Sequence, residues 1–289
     1  MNRRIFVLLQ NFDLNQSNFH LFMKNKKVLI ISSEVTPYLP QTQKSINSFM
    51  IPKRINEVGG HTRIFMPLYG MINERRHQLH EVIRLSGMNV VINDLDMPLI
   101  IKVASIPKER MQVYFIDNDE YFKRKGILKD SKGNLFKDND ERMIFFTKGV
   151  IETVKKLNWS PDIIHLHGWF TSLFPLYLKT YFADEAMFNS TKIVTSIYPK
   201  DFEKKLSINL QKKVLFDNIP QAEIESLTNP SYENLMDLAI QSSDGIIFSG
   251  LDVCESVKEI AKKSEKPILQ FEEISGEDSY VDFYNSQII

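Results

Sequence analysis

The stretch Pro161-Asp162-Ile163-Ile164-His165-Leu166-His167-Gly168-Trp169-Phe170-Thr171 decides how this chain folds. Asp162 to Leu166 is a short apolar run of the kind that forms a strand buried on both faces of a parallel sheet, and Thr171 to Tyr181 reads as the helix that follows it. In an open α/β sheet, ligands sit in the crevice beyond the carboxyl ends of the strands. A passage from strand to helix through two histidines and a tryptophan therefore marks a candidate site. Residues 165 and 167 alternate along the strand, so their imidazoles point to the same side. His167, at the strand end, is the better placed of the two for a ligand. His165 suits a core histidine bonded to backbone equally well, because buried polar groups need partners.

Outward from this segment the same grammar recurs. Lys27 to Ser33 (K-V-L-I-I-S-S) is a buried-strand run and the expected first strand. Pro37 and Pro40 interrupt the turn after it. Ser45 to Val58 then carries Ile46, Phe49, Met50, Ile55 and Val58 at helical spacing and is closed by Gly59-Gly60. Thr62 to Pro67 supplies the next strand, so residues 27–67 form a βαβ unit, and the fold class is α/β: a Rossmann-like, doubly wound, mostly parallel sheet. From His80 to Asp117 the period changes to two, with strands expected at 81–84, 88–92, 99–103 and 111–116 as an antiparallel or mixed elaboration. Residues 121–140 read as a charged surface loop and 141–157 as an amphipathic helix. The alternation continues with strands at 192–197 and 245–248 and helices at 232–242 and 252–264, while 209–230 reads as loop or short helices. The expected organisation is an extension or mis-assigned start over 1–22, one domain over 23–270 and an acidic tail over 271–289.

Composition narrows the function classes. The 36 basic and 36 acidic side chains cancel, which removes any general electrostatic case for nucleic acid or an anionic membrane surface. The apolar run Ile5 to Leu9 stops at Gln10-Asn11 with no small-residue cleavage site after it, so it does not read as a signal peptide, and no window is long enough to span a bilayer. A single cysteine, Cys254, reads as an unremarkable buried thiol, and a reducing cytoplasm is the expected setting.

The common catalytic signatures are missing from the sequence. There is no G-x-S-x-G elbow, no H-E-x-x-H, no G-x-G-x-x-G and no G-x-x-x-x-G-K-[ST], and no third ligand stands at metal-binding spacing from His165 and His167. No cofactor and no metal is assigned. The turn from Ser33 to Lys44 contains no glycine, so it is poorly suited to wrapping backbone amides around a phosphate. Ser33 and Glu34 are placed to hydrogen-bond a hydroxyl-rich ligand, with solvated turn residues as the alternative.

In order along the chain, these segments resemble the amino-terminal half of the bacterial glycogen synthases and plant starch synthases, which transfer glucose from ADP-glucose to a growing α-1,4-glucan. Lys27 to Pro37 resembles the family's opening strand and S-E-x-x-P turn, and Gly60-His61-Thr62-Arg63 through Pro67-Leu68-Tyr69 resembles its G-H-x-V-x-x-x-x-P-x-Y. Tyr121 to Ile127 and Asp138 to Arg142 are similar to Y-F-x-R-x-G and D-N-x-x-R-F. Pro161 to Leu178 is close to P-D-V-V-H-A-H-D-W-H-T-A-L-A-P-L-Y-L. The resemblance implies the GT-B fold, in which two Rossmann-like domains face each other across a cleft. It implies Ser33, Glu34, Tyr69, His165, His167 and Trp169 as ligand-contacting candidates, with an α-glucan or a sugar nucleotide as ligand and a protein partner across the open cleft as a further possibility.

The departures carry as much information. The family's K-T-G-G-L loop is here Leu39-Pro40-Gln41-Thr42-Gln43-Lys44, its aspartate and last histidine in H-A-H-D-W-H are Gly168 and Phe170, and its T-V-H-N is Ser196-Ile197-Tyr198-Pro199. The residues after Ser264 are too few for the family's second domain. Losing one group that stabilises a departing pyrophosphate costs about a hundredfold or more in rate. No catalytic residue is therefore assigned. The expected function is a synthase-like subunit, inactive alone and glucan-associated or regulatory. The alternatives are a half-enzyme completed by a partner chain, and an unrelated Rossmann-like small-metabolite binder.

Overall fold

The structure, a computed structural model, describes residues 23–289, so the amino-terminal extension expected over 1–22 lies outside the described residues. Strand β1 (Lys27–Ser32), helix α1 (Gln43–Glu57) and strand β2 (His61–Pro67) form the expected βαβ unit, with β1 and β2 parallel. Helix α1 begins two residues earlier than its apolar spacing suggested, because Thr42 caps it. The Thr42 hydroxyl accepts from the Ser45 N–H and the Ser45 hydroxyl accepts in return from the Thr42 N–H.

The period-two region folds as β3 (His80–Glu81), β4 (Met88–Ile92), β5 (Leu95–Ile106) and β6 (Met111–Asp117). The strand expected over 81–84 shrinks to two residues, because Val82 to Leu85 turn back on themselves and the Leu85 N–H donates to the Val82 carbonyl. Conversely, β5 is longer than the expected 99–103. Its amino-terminal part, polar at Asp96 and broken in pattern by Pro98, forms a hairpin with β4 across Asn93, whose φ of 55° suits asparagine in a tight turn.

Helix α2 (Asp119–Phe122) opens the charged loop, and α3 (Asn139–Lys156) leads to β7 (Ile163–His167). The helix expected over 171–181 is instead a single 3-10 turn at Trp169–Thr171 followed by α4 (Phe174–Lys179), with Pro175 in its first turn. The remaining strands and α-helices among the described residues are β8 (Lys192–Ile197), α5 (Leu210–Leu215), α6 (Tyr232–Ser242), β9 (Gly245–Phe248), α7 (Glu255–Lys263), β10 (Ile268–Leu269) and α8 (Asp278–Phe283). Cys254 is half-buried just before α7, not buried as expected, because a helix amino terminus at the surface leaves it partly open.

Among the described residues one ten-stranded sheet results, in the order β10-β9-β8-β7-β1-β2-β6-β5-β3, with β4 attached to β5. Every pair from β10 to β6 is parallel, and β5 is antiparallel to β3, β4 and β6. The sheet is doubly wound. From β1 the chain builds towards β2 and β6, then returns through α3 to lay β7 on the other side of β1, and because parallel crossovers are right-handed as a rule, this reversal puts the two sets of helices on opposite faces. The reversal leaves a crevice between the carboxyl ends of β1 and β7, where Ser32 is in register with His167.

The segment expected as an acidic tail is folded. Glu272, Glu273 and Asp282 are exposed, but Tyr280, Val281, Phe283, Tyr284 and Ile288 are buried, and Arg54 of α1 holds Asp278 at 2.6 Å. The acidic count misled because the charges lie on one side of an amphipathic turn of helix, and the aromatic residues on the other. Gly245 of β9 makes room for this packing: a Cβ there would lie 2.4 Å from Ile288 Cδ1 and 3.2 Å from Phe283 Cζ. Gly245→Ala is expected to lower stability by about 1–3 kcal/mol through overpacking. In a urea-denaturation cycle with Ile288→Ala, the loss should be smaller in the double variant than the sum of the two singles. Additive effects would contradict the docking of this segment.

Candidate functional site

The crevice is built first from the end of β1. Ser32 and Ser33 are fully buried, and the Ser32 hydroxyl donates to the Glu34 carbonyl and accepts from the Glu34 N–H, which fixes the turn. The Glu34 carboxylate faces α1. It accepts from the Thr42 hydroxyl at 2.8 Å and pairs with the Lys44 ammonium at 2.9 Å, and the same ammonium lies 3.3 Å from Ser33 Oγ. Both charged side chains are almost out of solvent, at 11% and 12% exposure, which makes this pair costlier to break than a surface ion pair. Lys44 also lies against Gly168. Gly168 has φ of 77°, a conformation side chains resist, and an added Cβ would sit 3.1 Å from Lys44 Cε.

Below this pair lie the two histidines. Strand alternation brings their rings to 4.1 Å between centroids, as the sequence implied, but both are completely buried. His165 shares hydrogen bonds with Ser196 Oγ through Nε2 and with Tyr284 Oη through Nδ1, each at 2.7 Å. His167 shares one with Tyr198 Oη through Nδ1 at 2.8 Å, while its Nε2 is buried without a partner among the described residues. Burial pushes the His165 pKa down to about 3. Burial, then His165, then the Lys44 ammonium push that of His167 well below the ordinary imidazole value. Two neutral imidazoles result.

Tyr198 follows β8 and covers His167. Its carbonyl accepts from the Tyr232 hydroxyl at 2.6 Å, and Asn47 of α1 lies 3.4 Å from both the Tyr198 and Tyr280 hydroxyls. Trp169 closes the crevice laterally. Its indole N–H donates to Asp201 at 2.8 Å, and Phe202 packs edge-on against it at 4.9 Å between centroids. Burial pushes the Asp201 pKa up, but the hydrogen bonds from Lys129 and Trp169 and the charge of Lys44 outweigh it and hold the carboxylate below its ordinary value.

Of the six candidates, Glu34 and Trp169 line the crevice. Ser33, His165 and His167 are buried behind the lining residues, and Tyr69 is not among the lining residues either. Tyr69 is buried against Phe122 and under the Arg142 guanidinium, whose pKa burial lowers to about 10. Sequence reading missed Lys44, Asp201 and Tyr284 as members of the site. The position of Lys44 in the first turn of a helix beside Glu34 was a usable signal for the first. Nothing local flags the other two, which arrive from a polar loop and from the carboxyl-terminal segment. The space that remains, bounded by Glu34, Lys44, Gly168, Trp169, Tyr198 and Asp201, is about 200 Å³. A larger groove of about 690 Å³ is lined by Asn134, Leu135, Phe136, Lys204 and Ile208. Lys129, in the first of the two loops that line this groove, pairs with Asp201 at 2.8 Å.

Comparison with known proteins gives a consistent result. A family model for the starch synthase catalytic domain matches residues 27–257. A glycogen synthase from Chlorobium luteolum is 37% identical over 222 residues, covering 76% of this chain and 45% of that protein. One from Chlorobium phaeobacteroides is 42% identical over 176 residues, covering 61% and 36%. The chain thus spans about half the length of the curated relatives it matches, or less. Among solved structures, the catalytic domain of starch synthase IV from Arabidopsis thaliana, bound to ADP and acarbose, matches with a TM-score of 0.70 at 14% identity, over 86% of this chain and 51% of that one, which is a likeness of fold.

The neutral histidines give a pH prediction. Their folded pKa values lie below the ordinary value of about 6.5, so below that pH the unfolded chain binds protons that the folded chain refuses. Their contribution to stability is complete above about pH 6.5 and is lost as pH falls towards the folded values, at up to about 1.4 kcal/mol per pH unit for each histidine. Urea midpoints measured from pH 7.5 to 5.5, above the range where carboxylates titrate, are expected to fall on acidification. A flat profile would contradict buried neutral imidazoles.

Proposed function

The chain belongs to the starch synthase catalytic-domain family, and from that premise we propose that it is a synthase-type domain that does not transfer glucose by itself and serves as a glucan-associated or regulatory subunit. The observation that carries this reading is the internal filling of the crevice. The Lys44–Glu34 pair occupies its mouth, Tyr198 and Tyr284 take the Nδ1 atoms of the two histidines, and about 200 Å³ remains. Sites that enclose small organic ligands usually offer about 300–1,000 Å³, so a sugar nucleotide does not fit without displacing the ion pair or Tyr198.

The chemistry of the filling supports the same reading. A group that stabilises a departing phosphate must present uncommitted positive charge or N–H donors. Here the crevice ammonium, Lys44, is committed to Glu34 and Ser33, and both imidazoles are neutral and enclosed. Lys44 occupies the space beside Gly168, so the lysine and the missing aspartate are related features: a carboxylate side chain at 168 would meet both an unfavourable φ and the lysine stem.

Glucan association rests on family membership and on the larger groove beside the crevice. Its Asn134, Asp130 and Ser207 side chains suit hydroxyl groups, and Leu135 and Phe136 suit the apolar faces of sugar rings. A half-enzyme completed by a partner chain has less support, because the exposed large apolar residues after β8 and β9 among the described residues are few, Ile208, Phe216, Leu251 and Ile289, and some exposed apolar side chains occur on any surface. A cytoplasmic setting remains part of the proposal, and among the described residues no helix is long and apolar enough to cross a membrane.

The purified chain is expected to transfer no glucose from ADP-glucose to glycogen and to co-sediment with glycogen. Transfer by the chain alone overturns the inactivity. Failure to co-sediment removes the glucan-associated role, and transfer that appears only with a co-purifying chain supports the half-enzyme instead.

A further inference from the structure

The opposite end of the sheet, where the parallel strands begin, holds a second cavity of about 620 Å³, lined by Lys53, His61, Arg63, Glu109, Arg110 and Trp159. We propose that it is an oxyanion site, built on Arg63, for a small phosphate-bearing ligand.

Arg63 projects from β2, with its guanidinium carbon 4.9 Å from the Trp159 ring centroid and 5.7 Å from that of Tyr114. These rings hold the cation by its faces. They do nothing for its N–H groups, of which a guanidinium has five in a planar fork. Among the described residues none of them meets an acceptor: Nη1 is fully out of solvent without a partner, and Nε and Nη2 keep an edge open to solvent. A half-buried cation in this state has lost part of its hydration and gained no counter-charge, and burial accordingly lowers its pKa.

The nearby carboxylates do not remedy this. Glu109 is paired with Lys53 at 3.0 Å and Glu57 with Arg54 at 3.3 Å. Arg110, exposed on the turn between β5 and β6, forms no ion pair among the described residues, nor does Arg84, whose charge reaches Arg63. The cavity therefore has a surplus of positive charge focused on one rigid, uncommitted guanidinium. The open Nε–Nη2 edge can take two oxygens of a phosphate at once, and a guanidinium already held against two aromatic rings loses little freedom in doing so.

The full chain, titrated calorimetrically with inorganic phosphate at low ionic strength, is expected to bind one equivalent saturably. Arg63→Gln should weaken binding about tenfold or more, the loss expected for a charged hydrogen-bond donor, and Arg110→Gln, in an exposed turn, several-fold. A parallel titration with ribose 5-phosphate identifies the source of the phosphate: tighter binding than inorganic phosphate marks a phosphorylated metabolite, and equal binding marks the free ion. Absence of saturable phosphate binding overturns the proposal. So does wild-type affinity in Arg63→Gln, or in Arg110→Gln should the first variant not fold.

Discussion

Two imidazoles buried side by side on a strand that is covered on both faces are the constraint on which the rest of the site depends. His165 and His167 cannot be hydrated there, and they cannot be charged without a large penalty. Three of their four nitrogens find partners among the described residues, from two distant parts of the chain: Ser196 and Tyr198 at the end of the neighbouring strand, and Tyr284 from the carboxyl-terminal segment. These three bonds tie the end of β8 and the carboxyl-terminal segment to the histidines. They also remove both rings from the crevice that strand parity alone would have them furnish.

The same economy of space governs the mouth of the crevice. Lys44 crosses from the first turn of α1 to Glu34 and lies along Gly168. A side chain at 168 and the lysine in this position compete for one volume, so the two departures from the family pattern are physically coupled. Tyr198, where the family has histidine, serves as a lid on His167 and as an acceptor, through its carbonyl, for Tyr232. The altered residues thus form a self-consistent packed arrangement in which each substitution supports another.

Much of this was legible in the sequence. The buried-strand runs at 27–33 and 162–166, the βαβ unit and the shared side of His165 and His167 follow from periodicity and strand parity, and the structure keeps them. The features that were not legible depend on contacts between residues far apart in the chain. Strand β5 was underestimated because its amino-terminal part pairs only with a hairpin partner, and propensity at Asp96 and Pro98 hides it. The last segment looked like a tail because composition counts charges without regard to the face they occupy. Tyr284 and Asp201 could not be placed from sequence, since nothing local distinguishes a tyrosine that reaches His165 or an aspartate that reaches Trp169. Burial was the commonest error. Of the six candidate residues, two line the crevice and the other four are buried behind it or apart from it, so none but Glu34 and Trp169 faces the open space.

The central claim, that the protein's own side chains occupy the crevice, is tested most directly by the imidazole nitrogens themselves. ¹⁵N NMR of the histidine rings, recorded from pH 8 to 4.5 with and without ADP-glucose, reports protonation and contact at each nitrogen. The account predicts that His165 and His167 stay neutral across this range while the folded state persists, with shifts unmoved by the nucleotide sugar. Titration of either ring near the ordinary imidazole value, or a saturable shift on adding ADP-glucose, would contradict it.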